Sequence, residues 1–94
     1  MTYKYTTESL CKQAVETWGK DSQLMKLLEE MSELQKEIIK NISFGKDNLN
    51  EIAEETADVL IMLERLIYIY DMSDKVNEQA AFKVNRVKGY LGIK

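Results

Sequence analysis

Not one of the 94 residues is proline, and only four are glycine. So few helix breakers leave long α-helices uninterrupted. The apolar residues keep the matching rhythm. Leu24, Leu27, Leu28, Met31, Leu34, Ile38 and Ile42 recur in steps of three and four, which lays them along one helical face. Ser22 is placed to cap this helix, and "SFGKDN" supplies a loop after Ile42.

Three further helices are expected around it. Thr7 caps the first, which Gly19 stops after Trp18, with Leu10, Cys11, Ala14 and Trp18 on one face. The preceding "MTYKY" reads as an irregular or extended tail. Asn48 or Asn50 caps the third helix, which continues to Tyr70. From Val59 onward, in "VLIML" and "LIYIY", it is apolar nearly all the way round and needs cover on more than one side. In so small a chain the expected second cover is another subunit. After "DMSD", with Ser73 as cap, a fourth helix runs from Asp74 to Lys88 and turns Val76, Ala80, Val84 and Val87 to the core; "GYLGIK" is a tail. The expectation is a single domain over residues 1–94. It is an all-α four-helix bundle with its helical core at about 7–89, oligomerising through the third helix.

The formal net charge of −3 argues against a general binder of DNA or RNA polymers. The lone Cys11 allows no disulfide within the chain, which fits a reducing compartment. No amino-terminal stretch reads as a signal peptide. The apolar run at residues 59–70 is broken by Glu64 and Arg65 and is too short to span a bilayer. A soluble, cytoplasmic protein without membrane partners is expected.

The acids separate by direction. At about 100° per residue, Glu30, Glu33 and Glu37 fall beside the apolar stripe of the second helix, and Glu29 points further toward solvent. On the third helix Glu55 falls inside the stripe, between Ile52, Val59 and Met62. Asp58 lies at its edge, and Glu54 points outward. A carboxylate on a core face is expensive unless it is paired or bound to a metal. Glu30/Glu33 and Glu55/Asp58 each have i, i+3 spacing, and an antiparallel pair of helices would bring them together. Four carboxylates in one place repel, so a cation belongs between them. Histidine is absent, which removes the usual ligands of zinc and di-iron sites. Oxygen donors alone select a hard ion, Mg²⁺, with Mn²⁺ as a substitute. The same glutamates also fit an ordinary solvated face, because Lys26 with Glu30 and Glu33 with Lys36 are spaced for surface ion pairs.

The ordered set Glu29-Glu30-x-x-Glu33 followed by Glu55-x-x-Asp58 resembles the signature of the MazG-type all-α nucleoside triphosphate pyrophosphohydrolases. "ETWG", "SQLMKLLEEMSELQKEI", "IAEETADVLIMLERL" and "AAFKVNRVKGYL" resemble segments of that family in the same order, over residues 10–91. One departure is Ser32, where many members carry glycine. The resemblance implies Mg²⁺ held by Glu30, Glu33, Glu55 and Asp58, and hydrolysis of a nucleoside triphosphate to the monophosphate and pyrophosphate. The ion would neutralise developing charge and lower the pKa of an attacking water, with Glu29 or Glu33 taking the proton.

Lys83 and Arg86 on the fourth helix are candidates for gripping phosphate, or are a solvated basic face near a helix carboxy terminus. Trp18 is a candidate for stacking on a base, or is a core or interface residue. Two rival functions share these residues. One is a related hydrolase acting on a nucleoside diphosphate or a phosphoribosyl-ATP-like substrate. The other is a catalytically silent helical interaction module. The resemblance further implies a homotetramer built as a dimer of dimers, with a homodimer as the second choice.

Overall fold

The computed structural model describes residues 3–93 and contains four α-helices and no strand among them. They are α1 (Glu8–Trp18), α2 (Lys20–Phe44), α3 (Leu49–Tyr70) and α4 (Ser73–Tyr90). Residues Met1 and Thr2 of the expected tail, and Lys94, lie outside the described residues. No described helix is long and apolar enough to cross a membrane.

Thr7 caps α1 as its residue type suggests: its hydroxyl accepts from the Leu10 amide at 3.1 Å. Gly19 then makes the first corner alone. Its amide closes α1 on the Val15 carbonyl at 2.8 Å, and its carbonyl opens α2 by accepting from Gln23 at 3.2 Å. This double use needs φ of +90°, which a side chain would resist. The second helix therefore starts at Lys20, and Ser22 lies inside its first turn instead of capping it. α2 also outruns the expected end by two residues. It stops where Gly45 turns left-handed and the Lys46 amide reaches back to the Lys40 carbonyl at 3.3 Å.

Asn48 stands at the start of α3, but its side chain does not cap that helix. Its Nδ2 crosses to α2 and donates to the Glu37 carbonyl at 2.8 Å and to Glu37 Oε1 at 3.0 Å. Lys40 grips the other Glu37 oxygen at 2.9 Å. Glu37, beside the apolar stripe of α2, is thus half of a buckle that closes the α2–α3 hairpin over a fully buried asparagine. Its carboxyl is held below the usual glutamate range, first by the Asn48 hydrogen bond and then by Lys40. Asn48→Ala removes the donor of both cross-helix hydrogen bonds to Glu37. The expected loss is about 1–3 kcal/mol, read as a lower urea midpoint at unchanged m-value.

α2 and α3 run antiparallel, and their cross-helix partners show the register: Glu37 with Asn48, Glu30 with Glu55 and Asp58, Gln23 with Arg65. α1 packs against both. The buried core is small and belongs to these three helices: Cys11 and Ala14, Leu27, and Met62 and Ile67. Leu10 and Trp18, expected on the same inward face as Cys11, are exposed.

A clasp sequence reasoning passed over supplies part of the cover that α3 requires. Glu64 is only 4% exposed. It accepts from the Tyr5 amide at 2.9 Å, the Thr6 amide at 2.8 Å and the Thr6 hydroxyl at 2.7 Å. The segment expected as an irregular or extended tail is therefore tied to α3 at Tyr5, and so is Thr6 after it.

The fourth helix departs most from expectation. Asp71 takes the left-handed conformation that usually falls to glycine, and the Met72 amide closes α3 on the Ile67 carbonyl at 3.2 Å. α4 then leads away. Its backbone comes near that of α3 alone, and none of its residues is buried. Val76 is half-buried and Ala80 exposed, while Val84 and Val87 are 54% and 49% exposed, so the face meant for a core has no cover in this chain. The chain is a three-helix body with a helical arm, not a closed four-helix bundle.

Candidate metal centre and adjoining cleft

The α2–α3 register brings Glu30, Glu55 and Asp58 together, each offering one carboxylate oxygen, all within 4.8 Å of one another. Glu55 occupies a position where the helical pattern calls for an apolar residue, and one of its oxygens, Oε2, is buried without a hydrogen-bond partner. Burial raises the Glu55 carboxyl above the ordinary glutamate range, and closeness to Glu30 and the charges of Asp58 and Glu33 push the same way. Asp58 is raised as well, by burial first and then by Glu30, whereas Lys26 pulls it down.

Lys26 is the cation at this cluster. Its Nζ lies 3.1 Å from Glu30 Oε1 and 4.0 Å from Glu29, and the Glu30 side chain is only 12% exposed. The surface-pair reading and the cluster reading of Glu30 therefore both hold. Lys26 is itself raised above the ordinary lysine range, chiefly by its hydrogen bond to Glu30.

Of the four expected metal ligands, Glu33 stands apart. Its side chain is 45% exposed and reaches Lys36 at 3.4 Å, although its charge is felt by Glu55. It stands outside the trio. Glu29 is exposed and belongs to a neighbouring cleft.

The cluster fits a hard divalent cation on two grounds. All donors are carboxylate oxygens. One of them is an orphan in a place where an unpaired carboxylate is costly.

Beside the cluster opens a cleft of about 840 Å³ whose lining includes Trp18, Gln23, Lys26, Glu29, Met62 and Arg65. Trp18, 60% exposed at the end of α1, offers its ring to this space. Arg65 donates to Gln23 Oε1 at 2.5 Å and rests 3.4 Å from the Met62 sulfur, with its Nε buried and unpaired. Lys26 lines the cleft and reaches the cluster through Glu30.

Lys83 and Arg86 belong neither to the cluster nor to this cleft. Both are exposed on α4, and the Arg86 guanidinium lies 5.9 Å over the Phe82 ring. Sequence reasoning treated Arg65 and Glu64 only as interruptions of an apolar run. The usable signal was there: charged residues in the most apolar segment of the chain have to be partnered, whatever their role.

Against known proteins, the chain matches no family model, no curated protein and no solved structure.

Proposed function

We propose that this protein is a Mg²⁺-dependent hydrolase that cleaves a (deoxy)nucleoside triphosphate to the monophosphate and pyrophosphate, clearing unwanted nucleotides from the pool. The observation that carries the reading is the buried, unpartnered Glu55 oxygen inside a three-carboxylate cluster. The motif resemblance supplies the reaction.

Glu30, Glu55 and Asp58 would hold the ion, with Glu33 joining them. Bound there, Mg²⁺ would offset phosphate charge and make an attacking water more acidic. Without a cation the cluster repels a triphosphate, so the acids serve binding only in the loaded state. Glu33, outside the trio, is the carboxylate available to take a proton from water. The cleft suits the nucleoside end: Trp18 presents an aromatic face for a base, and the Arg65 and Gln23 edge presents polar atoms. Mn²⁺ is the expected substitute ion. A homo-oligomer, a dimer or a tetramer of two dimers, is part of the same proposal.

The test is turnover of a panel of common and damaged (deoxy)nucleoside triphosphates with Mg²⁺, resolved by product. Release of pyrophosphate and monophosphate is the expected result. Orthophosphate as the sole inorganic product, or turnover insensitive to chelation, would overturn the reading.

A further inference from the structure

The polar end of the cleft is one-sided. Gln23 is only 6% exposed. Its Oε1 accepts from Arg65 Nη1 at 2.5 Å, and that bond fixes which way the amide faces. The amide nitrogen, Nε2, makes no hydrogen bond among the described residues, yet it is not sealed from solvent. Gln23 lines the cleft, so the cleft is where that nitrogen opens. Arg65 behaves alike. Its Nη1 is occupied by Gln23 and rests 3.4 Å from the Met62 sulfur, whereas its Nη2 is open and unpartnered among the described residues. No carboxylate there pairs with the guanidinium. Both free groups can only donate, and the one acceptor of the pair, Gln23 Oε1, is used internally. Ser22, also on the lining, has a hydroxyl that donates or accepts as required, so it does not change the sign.

The pair also sits at a defined place. Gln23 precedes Glu30 by seven residues and Arg65 follows Asp58 by seven. On antiparallel helices both steps lead the same way, by about 10 Å of rise. Lys26 is the cation next to the cluster, 3.1 Å from Glu30, and Gln23 and Arg65 stand beyond it. A nucleotide with its phosphates at the cluster would reach across its sugar and present the far edge of its base to them. Trp18, Leu28 and Met62 line the same cleft and give a ring system apolar surface to lie on.

Purines divide on this point. A 6-oxopurine such as guanine shows two neighbouring acceptors, N7 and O6, whereas adenine shows N7 beside the N6 amino donor. Two protein donors satisfy the first edge fully. Against adenine one of them meets another donor and loses its hydrogen bond to water without replacement. Cytosine has a comparable pair in O2 and N3 but only one ring to lay on Trp18.

We propose that Gln23 and Arg65 are specificity-determining residues that select a 6-oxopurine over a 6-aminopurine, with Trp18 against the ring face. Where the phosphates lie rests on the hydrolase reading; the choice of base does not depend on cleavage.

Free nucleosides test it without metal or reaction. Trp18 is the only tryptophan, so quenching of its emission reports on the cleft. Inosine and deoxyguanosine are expected to half-quench at concentrations about tenfold or more below that of adenosine, with cytidine between them. Gln23→Glu puts an acceptor where the free donor was and should abolish or reverse the preference. Gln23→Met, neutral and of similar volume, should bring the ratio near one. Circular dichroism shows whether both variants fold, and the wild-type ratio decides alone where one does not. Equal quenching by inosine and adenosine overturns the proposal. So does no quenching by any nucleoside, or a preference that survives in both folded variants. The two readings fail separately. Selective nucleoside binding with no pyrophosphate release refutes the hydrolase alone. Pyrophosphate release with equal kcat/KM for dITP and dATP refutes the base assignment alone.

Discussion

Glu55→Gln is expected to lower Mg²⁺-dependent pyrophosphate release about a hundredfold or more, while leaving the metal-free protein at least as stable as wild type at neutral pH. The two halves of this result have one cause. Glu55 is placed among Glu30, Asp58 and Glu33, and its charged form is disfavoured by burial and by all three neighbours. Glutamine keeps the shape and removes the repulsion, and with it a ligand. The sign of the pH effect follows. A carboxyl whose folded pKa is raised contributes stability that is fully present below its unfolded value and is lost as pH rises through the folded value. Glu55 and Asp58 are both raised, so metal-free wild type should lose stability from the ordinary carboxylate range upward toward neutrality. Glu55→Gln should flatten that fall. Mg²⁺ should reverse it: at about a hundred times its Kd, a ligand specific to the folded state adds about 2.7 kcal/mol, a rise in Tm on the order of 10 °C for a domain of this size. Thermal scans with and without Mg²⁺, at fixed protein concentration, check each step. No Mg²⁺ shift in wild type, or the same shift in Glu55→Gln, would sink the metal assignment.

Glu64→Ala is expected to be the most destabilising single change, at about 2–4 kcal/mol. It leaves the Tyr5 and Thr6 amides and the Thr6 hydroxyl without their acceptor and frees the segment that covers that side of α3. Burial works against the Glu64 charge, but the Thr6 hydroxyl and the backbone amides outweigh it, and the carboxyl is held below the usual range. Its sign is therefore opposite to that of Glu55. The contribution is present above the unfolded pKa and lost as pH falls through the folded value. Metal-free wild type should then be most stable at mildly acidic pH, where the cluster has begun to take up protons and Glu64 has not. Urea midpoints across pH measure this. Glu64→Gln, which keeps the volume but aims an amide at donors, should fall between wild type and Glu64→Ala and lose the acid limb. A midpoint for Glu64→Ala within error of wild type would refute the clasp.

Periodicity located the helices well because the chain has no proline and its apolar spacing is regular. It found Glu55 for the same reason: a charge on an apolar stripe is visible at one residue's resolution. What it missed lies between elements. Asn48 looked like a helix cap and proves to be a cross-helix buckle, because the choice between an amide of its own helix and a carbonyl of α2 depends on a packing distance that spacing does not contain. Arg65 and Glu64 read as breaks in an apolar run, since their partners Gln23 and Thr6 are 42 and 58 residues away. The stripe of Val84 and Val87 was read as a core face and is exposed, because periodicity marks an apolar face but not whether anything in the chain packs on it.

The buckle at Asn48 also bears on the order of assembly. It joins residues only 11 apart, and the carboxylate cluster lies on the same hairpin, whereas the Glu64 clasp spans 58 and 59 residues. Loop-closure entropy favours short separations, so contacts of low order form before long ones. The hairpin is then the early unit in folding, and the clasp is a late one. The charged cluster is consequently built into the first part of the molecule to take shape, where its repulsion opposes folding from the outset, and a cation present during synthesis would act on the rate of folding as well as on the finished site.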